Sequence, residues 1–254
     1  MVRDLSISFG GVQALHEISF TAAAGSITAL IGPNGAGKTT ALNCISGVYR
    51  PGKGDVSFGG RPVMGLGGHR LARLGLTRTF QNLQVFGKMS VLENVMVGQH
   101  CVTKREFLAA LFRLPGTRAE ERAMRRRAWE MLEFVGLTAA AGRPATELSY
   151  GDQKRVELAR ALVSRPRMVL LDEPVAGLNP AESEELGRLI LATRAEGTAV
   201  VLVEHDMGLV MRLSDQVVVL SYGEKIAQGA PQEVQADPEV IRTYLGGGEE
   251  AARA

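Results

Sequence analysis

The sequence predicts an α/β protein whose central sheet is mainly parallel, and three observations lead there. Short apolar runs recur at Ile27–Ile31, Met168–Leu171, Ala199–Val203 and Gln216–Leu220. Stretches with helical spacing, about Ala181 to Ala195 and Met207 to Leu213, separate the later runs. Strands alternating with helices imply parallel neighbours, because each parallel pair needs a crossover to bring the chain back. The first run also leads through a glycine-rich turn into a helix, the kind of strand end at which α/β sheets bind ligands.

In chain order, Leu5, Ile7 and Phe9 alternate with polar neighbours and read as a strand. Gly10-Gly11 reads as a turn and Val12 to Phe20 as a second strand. After Ile27–Ile31 a helix is expected from about Thr39 to Ser46, stopped near Gly47. Pro51-Gly52-Lys53-Gly54 and Phe58-Gly59-Gly60 carry hairpin-turn chemistry, so an N-terminal antiparallel β subdomain is expected. Residues 87–148 change character, with helical periodicity and dense charge such as Lys104-Arg105 and Arg125-Arg126-Arg127. Glu121 and Arg125, four apart, can pair on one helix face. A solvated helical surface explains this segment, and contact with lipid head groups is the sharper alternative. From Ser149 the α/β rhythm resumes with a helix over about Tyr150 to Ser164, and the tail after Gly246 should be frayed.

Composition narrows the function classes. The 254 residues suffice for a sizeable core, and 45% hydrophobic with 22% charged residues is ordinary for a globular chain. A formal charge of +2 gives no electrostatic case for nucleic acid as a partner. Two cysteines, Cys44 and Cys101, argue against a disulfide scaffold and suggest a reducing compartment. No apolar stretch approaches the roughly 18 residues a membrane crossing needs. The start carries Arg3 and Asp4 and no apolar leader, so a cytoplasmic chain is expected, with any membrane role supplied by a partner.

Gly32-Pro33-Asn34-Gly35-Ala36-Gly37-Lys38-Thr39 fits G-x-x-x-x-G-K-[ST] and lies between an expected strand and an expected helix, the context that gives the motif meaning. Its glycines let backbone N–H groups curl around phosphate oxygens, and the helix N-terminus adds positive dipole. Asn34, Gly35, Ala36, Gly37, Lys38, Thr39 and Thr40 are therefore candidate nucleotide-binding residues. Lys38 would set its cation against the β- and γ-phosphates, and the Thr39 hydroxyl would ligate Mg²⁺.

Met168 to Glu173 is an apolar strand ending in two carboxylates. At the carboxyl edge of a parallel sheet Asp172 would lie beside the phosphate loop and hold Mg²⁺ through water. Glu173, one residue on, can orient or deprotonate an attacking water. His205 follows the next strand at the same edge and can reach the γ-phosphate. Gln81, in Thr79-Phe80-Gln81-Asn82, can offer its carbonyl to Mg²⁺ or to that water. Read singly, these are ordinary strand-end and loop residues; their order in an α/β chain gives them weight.

In this order the motifs resemble the ATP-binding cassette of ABC transporters. The decisive addition is Leu148-Ser149-Tyr150-Gly151-Asp152-Gln153, followed by the basic helix Lys154 to Leu162. It is similar to the family's signature, usually written L-S-G-G-Q. Ser149 is a natural N-cap with Asp152 three residues on, close to a capping box, and the helix start is a second anion site. Two such starts in one chain have no reason to serve one nucleotide. The resemblance implies a head-to-tail dimer in which ATP is sandwiched between the loop of one subunit and Ser149 and Gly151 of the other. It also implies that Phe9 stacks on adenine, that Gln81 is the Q-loop glutamine and that His205 is the switch histidine. The implied organisation is a P-loop core with its β subdomain over 1–86 and 158–245, a helical signature subdomain over 87–157, and a flexible tail at 246–254.

Within that family the chain looks most like the larger ATPase subunit of branched-chain amino acid importers. Phe9-Gly10-Gly11, Leu76 to Asn82, the Leu-Ser-Tyr-Gly-Asp-Gln variant, Ala176-Gly177-Leu178-Asn179-Pro180, Glu204-His205-Asp206-Met207 and Tyr244-Leu245-Gly246 carry the likeness. It implies a peripheral place at the cytoplasmic face of the membrane and a second ATPase subunit, identical or not. It also implies permease subunits and a periplasmic or extracellular substrate-binding protein. The cargo is not read by this chain, and systems for urea, other amides or lipopolysaccharide share several of these features. Leu83, Val85 and Phe86, after Gln81, either receive a permease segment or pack in the core. Tyr150, Asp152 and Asn179 depart from the commoner Gly, Gln and Asp and bear on coupling across the dimer, while the retained Glu173 implies hydrolysis. A nucleic-acid machine on the same cassette would need a coiled-coil insertion or a second cassette, and a regulatory GTPase an Asn-Lys-x-Asp motif; none is found.

Overall fold

A computed structural model describes residues 1–79, 85–100 and 115–245. The chain opens in an antiparallel four-stranded sheet of order β2-β1-β4-β5. β1 (Val2–Phe9) pairs with β2 (Val12–Phe20) across the Gly10-Gly11 turn and with β4 (Lys53–Phe58), which carries the short β5 (Arg61–Pro62). The alternation expected along β1 is broken, with Ser6 buried and Phe9 exposed. Register shifts on either side of Leu5, together with a φ of 48° at Asp4, turn the following side chains.

The second sheet has the order β10-β9-β3-β8-β7-β6. β3 (Ile27–Ile31), β6 (Leu76–Arg78), β7 (Met168–Asp172), β8 (Ala199–Val203) and β9 (Gln216–Ser221) are parallel, and β10 (Glu224–Gly229) adds an antiparallel edge. Helix α1 (Lys38–Ile45) follows β3, and α2 (Gly68–Leu74) precedes β6. The helices α3 (Val91–Val97), α4 (Pro115–Phe134) and α5 (Tyr150–Leu162) lie between β6 and β7. α6 (Pro180–Ala195) and α7 (Met207–Leu213) are the crossovers to β8 and β9; α8 (Pro231–Ala236) and α9 (Pro238–Leu245) close the described chain.

Both faces of the parallel strands are covered, which is why they read as continuous apolar runs. Leu170, Val201 and Val203 enter a core shared with Leu5, Leu15, Ile18 and Leu42. The alternate residues Val169, Leu171, Val200 and Leu202 enter a second core with Leu186 and Ile190. Val91, Val95, Ala128, Leu132, Val156 and Ala159 bind α3, α4 and α5 into a third. Helix α5 serves two of these, since its Leu158, Ala161 and Leu162 belong to the second core. The division expected at residues 157 and 158 therefore falls inside an unbroken helix.

Caps fix the helix starts. Ser90 Oγ accepts the Glu93 N–H while the Glu93 carboxylate accepts the Ser90 N–H at 2.8 Å, a reciprocal cap on α3. Asn179 and Glu182 form the same device on α6, with Pro180 at its first position. In α4 the pair closed at four-residue spacing is Arg126–Glu130 at 4.0 Å rather than Glu121–Arg125. No helix among the described residues is long and apolar enough to cross a membrane. Gln81, Leu83, Cys101, Lys104-Arg105 and the tail 246–254 lie outside the described residues.

Cys44 is buried in α1, and burial pushes its thiol up to about 11. At pH 8 it should hold about 10²-fold less thiolate than an ordinary cysteine. Alkylation mapped by mass spectrometry should spare Cys44 in the native protein and reach it in urea; rapid native labelling would mean that α1 opens.

Candidate functional site

Three neighbouring strand ends build the site. The chain leaves β3 at Gly32, with φ at 151°, so close to β9 that a Cβ there would lie 2.1 Å from the Leu220 carbonyl oxygen. Gly37, the N-cap of α1 with φ at 98°, is pressed against β2, where a Cβ would meet Leu15 Cδ2 at 2.6 Å and the Ala14 oxygen at 2.7 Å. Only glycine allows both approaches, and together they pin the loop. The Ala36 N–H donates to the Pro33 carbonyl and the Gly223 N–H to the Ala36 carbonyl, each at 3.2 Å. The buried Lys38 ammonium donates to the Gly32 and Pro33 carbonyls at 2.7 and 2.9 Å. Desolvation lowers its pKa, and the carboxylates of Glu173 and Asp172 oppose that shift. Asn34 and Gly35 are exposed, Ala36 is buried, and Thr39 and Thr40 are half-buried in the first turn of α1.

β7 is paired with β8, Asp172 opposite Val203, and β8 with β3, so the acidic strand end stands at the same edge as the loop. Asp172 is buried. That burial raises its pKa, and the Arg78 guanidinium, donating to Oδ2 at 2.8 Å, pulls the other way. The remaining oxygen, Oδ1, is buried without a hydrogen-bond partner. Such an orphaned carboxylate oxygen is the acceptor that a divalent cation, or a water bound to one, satisfies. Glu173 follows at φ 47°, held there by its N–H to the Val203 carbonyl at 2.9 Å. A non-glycine residue in that region carries strain of order 1–3 kcal/mol.

Glu204, for which the sequence suggested no separate role, is fully buried. Its carboxylate accepts the N–H groups of Val175 and His205 at 3.1 Å each, locking the loops after β7 and β8 together. Burial raises its pKa, against these bonds. The imidazole of His205 stands 63% exposed above it, Nδ1 3.9 Å from the carboxylate.

Phe9 lies exposed on β1 with its ring edge-on to Tyr49, centroids 5.1 Å apart. Ser149 caps α5, its Oγ accepting the Asp152 N–H at 3.1 Å. The reciprocal half of the expected capping box does not form, because the Asp152 carboxylate pairs with Arg155, which also reaches Glu185 at 2.7 Å. Gly151 is buried against Glu182, and Tyr150 packs on Gly177, whose Cβ would lie 3.1 Å from its ring. Tyr150 and Gly151 thus face the loop before α6 and its first turn, which Asn179 caps, while the Asp152–Arg155 pair reaches Glu185 further along that helix. The structure gathers Lys38, Asp172, Glu173 and Glu204-His205 at one sheet edge. No hydrogen bond among the described residues joins Ser149 or Gly151 to the loop 32–40.

A phosphate loop and an acidic strand end at one edge of a parallel sheet define a P-loop ATPase core. A family model described as ABC transporter matches residues 15–176, and one described as branched-chain amino acid ATP-binding cassette transporter matches residues 224–250. The high-affinity branched-chain amino acid transport ATP-binding protein BraF of Pseudomonas aeruginosa is 44% identical over 246 residues, 96% of each chain. LivG of Escherichia coli K12, similarly described, is 42% identical over the same span and coverage. Among solved structures, an ATP-binding cassette of an ABC transporter in its ADP conformation superposes with a TM-score of 0.84 at 33% identity, covering 96% of this chain and 97% of that one. A dimeric post-hydrolysis cassette bound to ADP and Pi gives 0.76 at 25% identity, covering 91% and 97%. The chain belongs to the ABC transporter family as one of its ATP-hydrolysing cassettes.

The strain at residue 173 has a measurable signature. Asparagine tolerates positive φ and a β-branched residue does not. Glu173→Asn should match or exceed the wild-type stability in urea titration, whereas Glu173→Val should lose about 1–2 kcal/mol. Equal losses would refute a strained position.

Proposed function

We propose that this ATPase energises an importer of branched-chain amino acids. It would sit at the cytoplasmic face of the membrane, against permease subunits supplied by a periplasmic or extracellular substrate-binding protein. The observation that carries this reading is the whole-length similarity to proteins so described, 42–44% identical over 96% of the chain. The near-neutral charge supports partners other than nucleic acid. The division into a core (1–86, 158–245), a helical unit (87–157) and a tail (246–254) belongs to the same reading. A groove of about 380 Å³ between those units, lined by Val48, Leu71, Phe86, Val97 and Arg160, is the seat for a permease segment.

In this reading the backbone from Asn34 to Gly37 wraps the phosphates of ATP, with Thr40 at their rim. Lys38 exchanges its two carbonyl partners for β- and γ-phosphate oxygens. Thr39 Oγ1, the Gln81 carbonyl and, through water, Asp172 Oδ1 would hold Mg²⁺, which would supply neutralisation of phosphate charge. Glu173 accepts a hydrogen bond from the attacking water and takes its proton at the carboxylate. His205 donates to the γ-phosphate, and Phe9 stacks on adenine. Ser149 and Gly151 of a second cassette complete the pocket at the N-terminus of their helix. The catalysis is positioning and charge stabilisation without a covalent intermediate.

Lys38→Ala should lower turnover about 10²-fold or more; unchanged turnover would remove Lys38 from this role. Glu173→Gln should still bind ATP and accumulate as a dimer in light scattering, and a monomer under ATP would reject the sandwich. In proteoliposomes holding the permease, binding protein loaded with leucine should stimulate hydrolysis where urea does not. The reverse result would reassign the cargo.

A further inference from the structure

We propose that Arg78 is a positioning residue that ties together the two halves of the divalent-cation site. The proposal rests on the reading above that Thr39 and Asp172 hold the cation. Arg78 ends β6, the edge strand, opposite Leu170 of β7. Its guanidinium is buried and reaches two elements at once. Nη2 donates to Asp172 Oδ2 at 2.8 Å, and Nη1 donates to Asn43 Oδ1 at 2.6 Å and to Ser46 Oγ at 2.8 Å. Asn43 lies four residues beyond Thr39, and Ser46 three beyond Asn43, so all three share one face of α1 and its cap. The face that offers the Thr39 hydroxyl is therefore bolted, through one planar fork, to the carboxylate that ends β7.

Two consequences follow from this geometry. One oxygen of Asp172 is saturated by a fixed guanidinium while Oδ1 is left buried and unpartnered, so the carboxylate presents a single aimed lone-pair face. The cation also finds Thr39 and Asp172 already at a set spacing, because α1 and β7 cannot shift independently while the fork holds both. Lysine keeps the charge but cannot reach three acceptors in a plane.

The test titrates Mg²⁺ against binding of a fluorescent ADP analogue, with EDTA as the metal-free reference. Arg78→Lys should leave the metal-free affinity within about twofold and raise the Mg²⁺ midpoint about tenfold or more. Asn43→Ala, which loosens the fork without removing its charge, should raise the midpoint by a smaller factor. Asp172→Asn should abolish the gain in affinity that Mg²⁺ brings, and adding Arg78→Lys to it should change nothing further. If Asp172→Asn weakens the Mg²⁺ response while Arg78→Lys and Asn43→Ala leave the midpoint in place, the positioning role of Arg78 is overturned alone. If Asp172→Asn has no effect on the midpoint, the assignment of Asp172 falls and the proposal with it. Should Arg78→Lys fail to fold, Asn43→Ala decides.

Discussion

Because β9, β3, β8, β7 and β6 run in one direction, every loop that leaves the sheet at its carboxyl edge arrives at the same place. The phosphate loop after β3, the acidic pair at the end of β7 and the Glu204-His205 turn after β8 are neighbours for that reason alone. Nothing in their sequence separations would bring them together. The register does the rest, since Leu30, Asp172 and Val203 sit level across three strands. A slip by one residue would turn Asp172 to the opposite face and bury it among Leu186 and Ile190.

The same edge collects buried charge, which a protein interior resists. Lys38, Arg78, Asp172 and Glu204 are two cations and two anions; Lys38, Arg78 and Glu204 each make two or more directed bonds, and the Asp172 carboxylate takes one, from Arg78. Burial works against all three groups whose protonation is displaced: it lowers Lys38 and raises Asp172 and Glu204. Such groups add little net stability compared with apolar residues of the same size, but they specify one arrangement. Glu204 shows this most plainly, since its carboxylate exists in the fold to hold two loops together.

Much of this was readable from the chain, for identifiable reasons. Buried parallel strands appear as unbroken apolar runs, and the glycine pattern around Lys38 marks a strand-to-helix turn. Ser149 announces a helix start through its cap chemistry. What escaped were elements defined by partners rather than by pattern. β6 is only three residues long and exists because Leu76–Arg78 pairs with β7. β10 is largely polar and half-covered, so it shows no apolar stripe. Arg78 lies 94 residues from Asp172, and no local rule links them. The contact of Tyr150 with Gly177 likewise joins two motifs that only the packing of α5 against α6 brings together. The reading of β1 failed locally because a register shift cannot be seen from alternation alone.

The bonding of Lys38 bears on how well the loop is preorganised. Its ammonium is satisfied by the Gly32 and Pro33 carbonyls of its own loop, so the buried cation has directed partners within the turn itself. The glycine contacts with β9 and β2 fix the same curve from outside. A turn ordered in advance spares its ligand the cost of ordering it.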